Sequence, residues 1–166
     1  MRKLCLTLFL AFTAASAFAQ GDTIVRWRGI QGVISAPGVD NPVGQIRSGA
    51  GPWTTQSGNA RINLTTGEGS FEVEGLVMNG GIASGTPGPV ANVVGTVVCN
   101  PGSSTGFVET AVDTPAASLS TTGNAELSFK LTLPATCNNP LFLIRVPSGR
   151  WIATGTKPAT QLATRY

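Results

Sequence analysis

The chain predicts an all-β protein: a single antiparallel β-sandwich, Ig-like or jelly-roll-like, of about eight or nine strands, with a partly closed β-barrel as the alternative. Three observations carry that reading. Only 11% of residues are charged, and the glycines and prolines that form turns are frequent (21 and 11). Runs of β-branched and aromatic residues recur between those turn formers at the spacing of short strands. No segment holds a 3.6-residue apolar period between helix caps, so no long helix is expected.

NAELSFKLTL, residues 124–133, alternates for ten residues. Ala125, Leu127, Phe129, Leu131 and Leu133 share one face, and the polar residues share the other, as in a half-buried antiparallel strand. NARINLTTGEGSFEVEG reads as a hairpin turning at Thr66-Gly67. That turn sets Ile62 opposite Phe71, Ala60 opposite Val73, Arg61 opposite Glu72 and Asn63 opposite Ser70. PLFLIRVPSGRWIATG reads as a second hairpin turning at Ser148-Gly149, with Val146 opposite Trp151 and Ile144 opposite Ala153. Its Leu141 and Leu143 make the first arm apolar on both faces, as in a central strand. TIVRWRGIQGVI, residues 23–34, is the expected first strand of the exported fold.

Between these lie segments read as linkers: residues 36–57, 100–106, 114–123 and 134–140. MNGGIASGTPGP, residues 78–89, has the glycine content of a phosphate cradle. Such a cradle needs a helix N-terminus behind it and the G-K-[ST] ending. Here two prolines follow, then ANVVGTVVC, so the stretch is expected to connect strands.

The first residues give an address. Arg2 and Lys3 precede an apolar run, residues 4–13, and Ala17-Phe18-Ala19 supplies a small-x-small cleavage pattern. Residues 1–19 therefore read as a secretory signal cut between Ala19 and Gln20, of a length that suits a bacterial protein sent to the periplasm or the exterior. The apolar run is too short for a membrane span of ~20 residues. Residues 20–158 then form one secreted β-domain, and 159–166 a loosely held tail.

Cleavage removes two of eleven basic residues, leaving nine against eight acids and a net charge of about +1. The remaining arginines and lysines are scattered, which argues against a nucleic-acid partner. Cys5 leaves with the signal, so Cys99 and Cys137 are expected to form a disulfide. Closing that loop stabilises the fold by ~4 kcal/mol on the chain-entropy model.

The chemistry is mostly excluded by missing residue types. There is no histidine, which removes Ser-His and Cys-His nucleophiles and the usual zinc sites. Gly102-Ser103-Ser104-Thr105-Gly106 fits G-x-S-x-G, but FVETAVD follows where a helix is required. No cofactor motif appears. Asp40-Asn41 and Asp113 are oxygen donors in principle, without a calcium-loop pattern. Trp27 and Trp151 fall at core parity in strands, whereas Trp53 falls in a segment read as a loop and is the candidate for contact with a glycan. A lipid-facing barrel would carry aromatic girdles, and this chain has one Tyr and three Trp.

Two functions remain. The preferred one is a non-catalytic exported protein that binds a protein or glycan, or plays a structural role at the cell surface or in the periplasm. The alternative is a small glycoside hydrolase or carbohydrate-binding module, the hydrolase requiring two of the eight mature acids to converge across a cleft.

Overall fold

Strand-forming runs pair locally where turn chemistry allows and non-locally where their apolar faces must be covered. The computed structural model describes residues 23–36, 38–49, 51–102 and 107–157. The signal segment with its Ala19/Gln20 cleavage site, residues 103–106 of the G-x-S-x-G match, and the 159–166 tail lie outside the described residues.

The protein is all-β, with no helix among the described residues. One sheet has four strands in the order β1 (Ile24–Trp27), β4 (Ser57–Asn63), β5 (Glu68–Glu74), β9 (Ala125–Lys130). A second has five, in the order β2 (Gly29–Gly32), β11 (Trp151–Thr156), β10 (Leu141–Arg145), β7 (Asn92–Cys99), β8 (Thr110–Ser118). The two-residue strands β3 (Trp53–Thr54) and β6 (Val77–Met78) pair with each other. The sheets do not close into a barrel: the four-stranded sheet ends at β1 and β9, and the five-stranded one at β2 and β8.

The core lies between the two larger sheets. The Phe142 ring from β10 meets Phe71 of β5 at 5.5 Å and Trp27 of β1 at 5.6 Å between centroids. Ile62, Val73, Val97 and Ile144 are fully or almost fully buried around them. Each such side chain contributes ~1.5–3 kcal/mol of transfer free energy.

Several expected elements differ in detail. The single first strand is two pieces, because pairing passes from β4 to β11 at Arg28, whose N–H donates to the Thr156 carbonyl at 3.0 Å. The first hairpin keeps its faces but moves its register by two residues: Ala60 faces Phe71 and Arg61 faces Ser70. The turn is the cause. The Asn63 carboxamide accepts the Thr65 and Thr66 N–H groups, and Gly67, at φ 72°, donates to the Asn63 carbonyl. The loop is therefore Leu64 to Gly67 rather than Thr66-Gly67, and Arg61 does not meet Glu72.

In the second hairpin Ile144 faces Ala153 as expected, but Arg145 rather than Val146 faces Trp151. Gly149 at φ 95° donates to the Val146 carbonyl, and the Val146 N–H donates to the Arg150 carbonyl. The loop is thus Pro147 to Gly149, and the one-residue change of register falls between Ile144 and Arg145, where Ile152 is the extra residue on β11.

The segment 114–123 is not all linker. β8 continues to Ser118 through Pro115, tolerated because β8 is an edge strand with a register shift opposite Gly95. There the Gly95 N–H donates to Thr114 Oγ1 at 3.0 Å, replacing the missing ladder bond. MNGGIASGTPGP does connect strands, joining β6 to β7 through turns.

Candidate functional site

Strand alternation sends one side chain in two out of the core, and on the four-stranded sheet that outer side is open to solvent. Pairing aligns its residues into rows. Arg26, Arg61, Ser70 and Ser128 follow one another across β1, β4, β5 and β9. In the next row Asn59, Glu72 and Glu126 are aligned. Glu74 lies two residues further along β5, opposite Ser57, whose hydroxyl donates to its carboxylate at 2.7 Å. Arg28 follows Arg26 at the same parity and is exposed, and with Arg61 and Asn59 it lines a shallow groove.

The electrostatics of this face are unusual in one respect. Arg26 and Arg61 are direct cross-strand partners, and so are Glu72 and Glu126. Like charges directly opposite each other destabilise a sheet, by up to ~1 kcal/mol per pair. The ion pairs among the described residues are Arg47–Asp40, Lys130–Glu68 and Arg145–Asp113, and none of them relieves either couple. The Arg61 Nε donates to the Ser70 hydroxyl at 3.1 Å, and the Asn59 side-chain N–H donates to Glu72. The Arg26, Arg28 and Glu126 side chains have no hydrogen-bond or ion-pair partner among the described residues.

Trp53 is not at a loop surface. It belongs to β3, pairs with Met78 and is 6% exposed, because its N–H donates to the Val33 carbonyl and draws the ring onto the core edge. The exposure that made it the glycan candidate is absent. Trp27 is buried at core parity, as expected. Trp151 is buried too, but it pairs with Arg145, on the other face from the core-facing Ile144–Ala153 pair, and its indole N–H donates to the Asn41 carbonyl at 2.8 Å.

Cys99 and Cys137 are joined, with Cα atoms 4.6 Å apart. The bridge ties the end of β7 to the segment before β10, and Asn100 doubles it. Its N–H donates to the Asn138 carbonyl, its side-chain oxygen accepts from the Asn138 N–H, and its side-chain N–H groups donate to the carbonyls of Thr136 and Val108.

The remaining acids among the described residues act as clamps. Asp40 accepts from the Ser48 N–H and hydroxyl and pairs with Arg47. The Ser48 backbone bond, aided by Arg47, holds its carboxyl below the usual value of 3.8. Asp113 accepts from Thr96 at 2.7 Å and from Arg145 at 2.8 Å. Glu109 accepts from the N–H groups of Gln45 and Gly102, joining two loops. Among the described residues no three Asp, Glu, Cys or His side chains gather as a metal site would require.

A scan of protein-family models, a search of curated proteins and a search of solved structures each return no match to this chain. No helix among the described residues is long and apolar enough to cross a membrane.

The sequence names every residue of the polar face but not their alignment. The parity of Arg26, Arg61, Glu72 and Glu126 is visible in the alternation. That β9 lies beside β5 is not, because Glu126 and Glu72 are more than fifty residues apart.

Proposed function

We propose that this is a non-catalytic exported protein with a binding or structural role, and that the polar face of the four-stranded sheet is its working surface. The fold that goes with this reading is an antiparallel β-sandwich, whose two layers are the larger sheets. The supporting observation is the pair of like-charge couples, Arg26–Arg61 and Glu72–Glu126, left open on one face. Each costs the isolated sheet free energy, and each would be offset by a partner presenting the opposite charge.

Hydrolysis is the weaker reading. Glu72 and Glu126 do converge, but side by side on adjacent strands of one sheet face, with Asn59 bonded to Glu72. Glycoside hydrolysis needs carboxyls that flank the scissile bond from two sides. Residues on the same row of a sheet project in the same direction.

Urea unfolding of the Arg26→Ala/Arg61→Ala variant tests the reading. Relief of repulsion predicts unchanged stability, or a gain of up to ~0.5 kcal/mol. A loss above ~1 kcal/mol would mean that the arginines serve the fold, and the reading fails. Assay of wild type and Glu72→Gln/Glu126→Gln against a polysaccharide panel is expected to give no turnover for either. Turnover in wild type that the variant loses would establish the hydrolase instead.

A further inference from the structure

The charges on this face are segregated. Arg26, Arg28 and Arg61 lie toward the β1 edge; Glu72, Glu74 and Glu126 lie on β5 and β9 at the other side. Glu68 and Lys130 neutralise each other at 3.3 Å. The face thus carries three cations against three carboxylates in two adjoining patches.

We infer that the occupant of this face is a second copy of the same chain, docked face to face in a two-fold dimer. The inference rests on the preceding reading of the face as a binding surface.

An isologous interface places the same surface on both partners, so it must be self-complementary. A two-fold axis parallel to the face and inclined to the strands, midway between the Arg26–Arg61 couple and the Glu72–Glu126 couple one row further along, lays each arginine couple over the partner's glutamate couple. An axis along the strands would instead set Arg26 and Arg61 over Ser128 and Ser70. The arginine patch of each copy then faces the carboxylate patch of its partner, twice over. A two-fold axis perpendicular to the strands would instead set Arg26 against Arg28 and leave the carboxylates unmet.

Each arginine couple gains carboxylates and each glutamate couple gains guanidiniums, so both repulsions are relieved in a single step. Arginine suits the task, since its fork can bind a carboxylate through two N–H groups. With the signal removed, each copy has a net charge of about +1, so long-range repulsion hardly opposes approach. The outward positions Arg26, Asn59, Arg61, Glu72, Glu126 and Ser128 are polar, so association depends on charge pairing and is weak and salt-sensitive.

Sedimentation of the purified protein from ~10 µM to ~1 mM tests this. A monomer–dimer equilibrium is expected whose association constant falls roughly tenfold or more between ~0.05 M and ~0.5 M salt. Arg26→Glu/Arg61→Glu and Glu72→Lys/Glu126→Lys should each be monomeric alone, because each sets like charges against like. Mixed in equal amounts, they should form a one-to-one heterodimer, since both contacts are then opposite in sign.

Circular dichroism checks that the variants fold. If a charge reversal prevents folding, the neutral Arg26→Gln/Arg61→Gln and Glu72→Gln/Glu126→Gln forms replace it, each expected to weaken association at least tenfold. Wild type that stays monomeric throughout, a dimer indifferent to both variants, or a mixture that stays monomeric overturns the inference. A monomeric protein that binds a polyanion or polycation probe through these residues overturns the dimer too. Stability of the arginine-to-alanine variant is read on the monomer, so the failure of the dimer and of the functional reading remain distinguishable.

Discussion

The two larger sheets solve the same problem differently. In the four-stranded sheet every strand alternates cleanly, and one side faces water. In the five-stranded sheet β7 and β10 are buried on both sides: Phe142 and Ile144 face the core, yet Val98, Leu143 and Thr96 on the outer side are also 0% exposed. Part of the difference is a cover. The segment 38–49 is pinned beside β11 by Gly49 and Arg47, which bond the Trp151 backbone at 2.7 and 2.9 Å. It is pinned at the far end of the sheet by Glu109, which takes the Gln45 N–H. Between those anchors Val43 and Ile46 pack against the core. One sheet has its outer side occupied by its own chain, while the other keeps an open side, and there the unrelieved charges collect.

Ways to break this contrast run from the core outward. Phe142→Ala removes the ring that joins both sheets and should cost about 3–5 kcal/mol in urea unfolding, with both sheets lost in one transition. Two separated transitions would show the sheets to be independent. Cys99→Ser/Cys137→Ser should cost about 2–5 kcal/mol and, in hydrogen exchange, loosen the five-stranded sheet first, because both ends of the bridge belong to that sheet, at the end of β7 and just before β10. Equal loosening of β4 and β5 would contradict that polarity.

The smallest effect concerns the cover. Asp40 has its folded pKa lowered, so its contribution is fully present above the ordinary value of 3.8 and is lost as pH falls through the lowered folded value. Exchange of the Ser48 amide should accelerate in that acid window and, in Asp40→Asn, already be fast at neutral pH, while β4 and β5 amides stay protected. A Ser48 amide that ignores both changes would dissociate the clamp from the cover.

Alternation made the four-stranded sheet legible at the level of faces. Ile62 and Phe71 point inward and Arg61 and Glu72 outward whether the register is shifted by two or not, because the side-chain period is two. The expected Arg61–Glu72 contact failed for the same reason: a shift of two residues preserves every face and changes every partner. Turn chemistry at Asn63 decided it. The five-stranded sheet was legible through LFLI, whose apolar run announced a central strand, and β10 does lie between β7 and β11. Trp53 was misplaced because its neighbours GAGP and TTQSG carry turn chemistry, while its short pairing with Met78 leaves no periodic trace.

By itself the sequence determined the class of the fold, the parity of β4, β5 and β9 and the partnership of Cys99 with Cys137. Those depend on local alternation and on Cys99 and Cys137 being the one thiol pair among the described residues. Tertiary structure alone decided which strands became neighbours, and hence that Arg26 stands beside Arg61 and Glu72 beside Glu126. It also decided that a proline- and glycine-rich stretch became a cover. Such neighbours meet through burial of a shared core, a non-directional force that leaves no local signature in the residues it brings together.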